Sequence, residues 1–154
     1  MKRQKPEVGD LFTVPLPDGT FALGQIVARE TPMLNSWTCA FSRVRIPKEE
    51  MPIEALRLED VISVQFVNGD LLKKGIWKIH GWAAVIIPRV VFPFEEFREQ
   101  KWIGATMRGS GIMNTFLAAF HGLEFWDEMK DPDYYQTLLL PGVCVPDEIK
   151  RKTA

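Results

Sequence analysis

The segment Gly9-Asp10-Leu11-Phe12-Thr13-Val14-Pro15-Leu16-Pro17-Asp18-Gly19-Thr20-Phe21-Ala22-Leu23-Gly24-Gln25-Ile26-Val27 constrains the fold of this chain more than any other. Phe12, Val14 and Leu16 alternate with their neighbours, and Phe21, Leu23 and Gln25 alternate again on the far side of Pro17-Asp18-Gly19. That is the period of a half-buried strand on either side of a turn, so the segment reads as a β-hairpin. Pro17 presets φ at the first turn position and Gly19 can take φ > 0, which gives the reversal a mechanism. Gly24 inside the return strand predicts a bulge or tight bend, the device that curls a small sheet toward a barrel. None of these side chains is chemically reactive, so the hairpin argues for a β-rich binding scaffold.

The rest of the chain is read against that hairpin. At 154 residues, with 46% hydrophobic and 25% charged side chains, it is expected to form one domain over residues 1–154. A chain of this size buries roughly 70% of its unfolded surface. A net charge of -1 argues against a dedicated nucleic-acid binder. Charge is uneven, however. Between Ala119 and Ile149 stand Glu124, Asp127, Glu128, Asp131, Asp133, Asp147 and Glu148 against the single Lys130, which reads either as a solvated face or as a docking surface for a basic partner. Cys39 and Cys144 lie far apart and read as two small buried hydrophobes in a reducing compartment. The basic start Met1-Lys2-Arg3-Gln4-Lys5 is followed by no apolar run, and Ala83 to Pro88 is far too short to span a bilayer, so a soluble cytoplasmic protein is expected.

Further elements follow in order. Residues 30–36 read as a loop, Trp37 to about Val44 as a strand, and a short helical turn is expected near Ile53 to Leu56. Val61 to Val67 is β-branched and aromatic, closed by Asn68-Gly69-Asp70, and reads as a strand. Asp70 to Gly75 reads as one helical turn, Ile76 to Ile79 as an extended segment, and Ala83 to Val91 as a further strand ended or confined to an edge by Pro88 and Pro93. Met113, Phe116, Leu117 and Phe120 fall at i, i+3, i+4 and i+7, an apolar helical stripe opening at Ser110-Gly111 and stopped by Gly122. A second helix is expected from Asp131-Pro132-Asp133 to Leu140, and the tail from Val143 as an edge strand. The fold class is therefore α+β: a curled antiparallel sheet, SH3-like or a partly open barrel, in the N-terminal two-thirds, with C-terminal helices packed on it.

Catalytic chemistry finds little support in this pattern. The two histidines, His80 and His121, stand alone, and His121 sits where a helix C-terminus would use it. There is no His-x-x-x-His and no Cys-x-x-Cys motif, so no metal and no cofactor are expected. Gly109-Ser110-Gly111 lacks the spacing of a nucleophile elbow, and the adjacent Glu95 and Glu96 diverge on either a helix or a strand. Five tryptophans remain. Trp77 alternates with Ile79 and reads as core; Trp126, beside Asp127 and Glu128, reads either as a loop anchor or as an exposed aromatic in an acidic patch, the composition of an interface hot spot.

Three places carry a family resemblance. They are Gly9-Asp10-x-Phe12-x-Val14-Pro15-Leu16-Pro17-Asp18-Gly19-x-Phe21-Ala22-x-Gly24, then Leu71-Leu72-Lys73-Lys74-Gly75-x-Trp77-Lys78-Ile79, then Asp131-Pro132-Asp133-Tyr134-Tyr135 with Leu138-Leu139-Leu140. In order and spacing they resemble the immunity protein 26 family of bacterial polymorphic toxin systems. The resemblance implies a cytoplasmic bacterial protein that binds a cognate toxin C-terminal domain and neutralises it, without catalytic residues. The acidic stretch extends this to a basic toxin such as a nuclease, contacted through Glu124, Trp126, Asp127, Glu128, Asp131 and Asp133. The opening hairpin is also similar to that of SH3-like-barrel mRNA-interferase toxins, but those carry Arg-Pro where this chain has Gly24-Gln25. A nucleic-acid-binding adaptor barrel is the third reading, and it would need a basic or aromatic-lined groove.

Overall fold

Hydrogen bonding closes the expected hairpin at the expected turn. Leu16 N donates to Thr20 O (2.9 Å), Gly19 N donates to Leu16 O (3.1 Å), and Gly19 takes φ +84°. The computed structural model describes residues 3–30, 36–87 and 107–152. The loop residues 31–35, Pro88, Pro93, Glu95, Glu96 and Trp102 lie outside the described residues.

The hairpin strands are β1 (Asp10–Pro15) and β2 (Phe21–Glu30), followed by β3 (Ser36–Ile46), β4 (Val61–Val67), α1 (Asp70–Lys74), β5 (Lys78–Trp82), β6 (Met107–Arg108) and α2 (Ser110–Phe120). The sheet order is β5-β1-β2-β3-β4-β6. The first five strands in that order are antiparallel neighbours, and β6 adds two residues parallel to β4. Among the described residues the sheet does not close into a barrel, and β5 and β6 are its two edges. Register shifts interrupt the β1–β5, β2–β3 and β3–β4 ladders, one of them between Ala22 and Gly24, where the glycine predicted a bulge.

Alternation splits the strands between two cores. Phe12, Val14, Ile26, Cys39 and Phe41 pack in one cluster with Trp77 and with Met113, Phe116, Leu117 and Phe120 of α2, so the predicted helical stripe is the buried face. Leu11, Leu23, Val27, Ala40, Val64 and Phe66 form the other, with Leu56 and Ile87 buried among them. Burial on both faces explains why β1 reads Leu-Phe-Thr-Val without an exposed position. The thiol of Cys39 is buried in the first cluster, and burial pushes its pKa up.

Several expectations are corrected. The helical turn near Ile53 to Leu56 is instead a 3-10 turn at Leu58–Asp60. Residues 83–87 carry no strand. The helix α2 does open at Ser110, with Gly109 as its N-cap, and the Ser110 hydroxyl donates to Asn68 Oδ1 at 2.8 Å. The second helix shrinks to a 3-10 turn at Tyr135–Leu138. Asp131 caps the turn before it by accepting from Asp133 N (2.9 Å), and Pro141 soon stops propagation. The tail pairs only through an isolated parallel bridge, Phe125 to Lys150. Cys144 is exposed rather than buried.

Candidate partner-binding surfaces

The acidic loop after α2 is built on a sharp exit from that helix. His121 N still bonds Leu117 O (3.2 Å), then Gly122 takes φ +75° and lies so close to Glu148 that a β-carbon there would stand 2.5 Å from its carbonyl oxygen. This contact brings the C-terminal segment beside the loop. Trp126 N donates to Lys150 O (2.7 Å), Lys152 N donates to Asp127 Oδ1 (2.7 Å), and Lys152 Nζ pairs with Glu128 at 2.7 Å. The Glu128 carboxylate beside it holds the Lys152 ammonium pKa above its ordinary value.

Of the two readings of Trp126, the loop anchor is the one the structure takes. Its ring is 1% exposed, packed against Phe116 and Tyr135 at centroid distances of 5.9 and 5.6 Å. It anchors the loop from beneath. The exposed aromatic of the loop is its neighbour Phe125, 41% exposed. Asp127 is likewise buried, at 8%, while Glu124, Glu128, Asp131 and Asp133 are exposed. The carboxylate surplus counted to Ile149 is moderated by Lys150, Arg151 and Lys152, which follow at once in the chain and fold back on the loop. A reading by sequence windows separates charges that the chain reunites.

The other end of the sheet offers a second surface, which the sequence reading passed over. Trp82, last residue of β5, is 65% exposed, and its indole Nε1 donates to Val8 O at 3.1 Å. Val8 is itself 45% exposed. The usable signal was Gly9, just before β1, because a glycine at φ +97° with no β-carbon lets an indole approach the backbone closely. At the opposite end of β5, Arg3, Lys5, Lys78, Ile76 and Ile79 line an open cleft of about 800 Å³. Lys78 faces Glu49 at 3.6 Å, which offsets part of its charge.

His121 and Cys144 share an open cleft with Arg43, Arg45 and Glu148, which places the residue types of a nucleophile and a base together. Burial first, then the Arg45 guanidinium, lowers the His121 pKa to about 4. A base so weak gives poor activation of a thiol near neutral pH. Among the described residues no three His, Cys, Asp or Glu side chains are grouped to hold a metal ion, and no helix is long and apolar enough to cross a membrane.

These features define an α+β protein that presents charged and aromatic contact surfaces on an open, doubly covered sheet. Residues 7–82, just under half of the chain, match the model of the family described as Immunity protein 26. The match runs from Glu7 through Trp82, so it takes in β1 to β5 and two of the three motifs read from the sequence, while the Asp131 motif lies beyond it. No curated protein and no solved structure is significantly similar to this chain.

Proposed function

We propose that this protein binds a cognate bacterial toxin domain in the cytoplasm and neutralises it by tight one-to-one, non-covalent occlusion, without catalysis. The observation that carries this reading is the family match over the five antiparallel strands. The exposed carboxylates Glu124, Glu128, Asp131 and Asp133, with Phe125 among them, are suited to steering a basic partner such as a nuclease, and Trp126 and Asp127 hold that loop in shape.

The interferase-like reading is disfavoured by the use made of the two residues that stand in place of Arg-Pro. Gly24 makes room for the Phe12 ring, and Gln25, 1% exposed, braces two carbonyls. Both are committed to packing. The test is calorimetric titration with a catalytically inactive form of the toxin C-terminal domain encoded immediately upstream. A nanomolar or tighter constant supports neutralisation by occlusion; no binding to a correctly folded domain overturns it.

A further inference from the structure

Trp82 is the most exposed large apolar side chain among the described residues, yet its ring is fixed at one edge by a hydrogen bond and a close backbone contact. Its indole donates to Val8 O and lies on Gly9, where any β-carbon would overlap Nε1. The backbone on both sides is tied down. Gly9 N donates to Ile26 O (2.8 Å) and Ala83 N to Gly9 O (3.1 Å). Beneath them the buried Gln25 amide donates to Gly9 O (3.3 Å) and to Ala83 O (2.9 Å). An aromatic that water already surrounds gains little stability from such bracing. A binding surface gains much, because the ordering cost of the anchor is met before the partner arrives.

Among the described residues, the charged side chains placed beside this end of β5 are carboxylates. Asp10 is the cross-strand partner of Trp82 and accepts from Glu7 N at 2.8 Å, and the Glu7 side chain is exposed. Gly81 lies against the Ile53 carbonyl, which is followed by the exposed Glu54. The only basic residue of β5, Lys78, is at its opposite end and faces Glu49.

We infer that Trp82, with Val8 beside it and the carboxylates of Glu7 and Asp10 at its foot, is the anchor of the surface that docks a basic protein partner, the toxin domain itself. The inference rests on the neutralisation reading above and adds where the contact is made: at the β5 end of the family-matched segment, with the acidic loop after α2 acting at longer range. Tryptophan in a rigid setting is the residue most enriched among interface anchors.

The experiment measures association and dissociation rates of the inactive upstream toxin domain with the full chain, Trp82→Ala and Glu7→Lys, each checked by circular dichroism melting. The expected result is tight binding by the native chain, dissociation faster by about thirtyfold or more in Trp82→Ala, and slower association with shallower salt dependence in Glu7→Lys. Should Trp82→Ala fail to fold, Glu7→Lys decides alone, since the Glu7 carboxylate lies at the exposed surface. Native-like rates in the folded variants, with the native chain binding tightly, overturn this inference and leave neutralisation standing. No binding by the native chain overturns both. A native dimer in sedimentation that Trp82→Ala dissociates would assign the surface to a second copy and overturn the toxin assignment.

Discussion

The ring of Phe12 is stacked on the indole of Trp77, with centroids 5.2 Å apart and planes 4° from parallel. Phe41 meets both edge-on, at 6.1 and 5.7 Å. The trio joins β1, β3 and the segment after α1, and it is possible because the residue opposite Phe12 in the ladder is Gly24 of β2, whose missing β-carbon leaves space for the ring. Trp77 Nε1 donates to Asn114 Oδ1 (3.0 Å), whose amide in turn donates to Pro15 O (3.4 Å), so the same stack is latched to α2.

Gly24→Ala should therefore push Phe12 off Trp77. Overpacking of this kind costs about 1–3 kcal/mol. Urea unfolding followed by tryptophan fluorescence should show a lower midpoint with an unchanged slope.

Gln4 provides a separate test of the N-terminal segment. Its side-chain amide donates to Leu72 O (2.7 Å) and Trp77 O (2.8 Å), and its Oε1 accepts from Ile79 N (2.9 Å). Gln4→Ala leaves three partly buried backbone groups to find water, a loss of about 2–3 kcal/mol. The melting temperature should fall by about 5–10 °C, and amide exchange at Ile79 should accelerate.

Stability should depend on pH through His121. Its Nε2 is buried with no partner among the described residues, and its pKa is lowered from the ordinary 6.5 to about 4. The folded state thus holds the neutral imidazole while the unfolded chain takes up a proton. The contribution is fully present above pH 6.5, is lost as pH falls from there to about 4, and levels off below. Partial exposure screens the effect to about 1 kcal/mol. Denaturation midpoints of His121→Gln should be flatter over that window, and an equally steep profile would assign the dependence elsewhere.

Gly122→Ala should be the more damaging of the glycine substitutions near the acidic loop. It combines a φ of +75° with a backbone oxygen 2.5 Å from the new β-carbon, and that oxygen belongs to Glu148. A loss of at least about 2 kcal/mol is expected, with Lys150 to Lys152 freed first. Limited proteolysis at these basic residues should report it.

Charge reversal at Glu124 and Asp133 together tests the steering face without disturbing a buried group. Both are exposed, whereas Asp127 accepts from Lys152 N and would confound the result. Association with the inactive toxin domain should slow by about three- to tenfold at low salt and lose part of its salt dependence. Unchanged kinetics would remove this face from the encounter.

Local pattern was a good guide wherever local forces dominate. The Pro17-Asp18-Gly19 turn, the strand Val61–Val67, the stop at Gly75 and the apolar stripe of α2 all stand as read. The second helix failed because Asp131-Pro132-Asp133 is as good a turn as it is a helix start, and nothing local distinguishes them. In the acidic loop the sequence left Trp126 open between anchor and exposed contact. An irregular loop has no period, so no count along the chain could tell whether Phe125 or Trp126 turns inward.

The chain's alternation, turn residues and apolar stripe specify an antiparallel sheet with a helix against it, because those choices are made between neighbours a few residues apart. Long-range packing assigns the remaining roles. It sends Trp126 into the core and holds Trp82 out on Gly9, and it folds Lys150 to Lys152 onto carboxylates some twenty-five residues earlier. Exposure and net charge at a point on the surface are sums over everything that meets there, and in a sheet of this order most of what meets is distant in sequence.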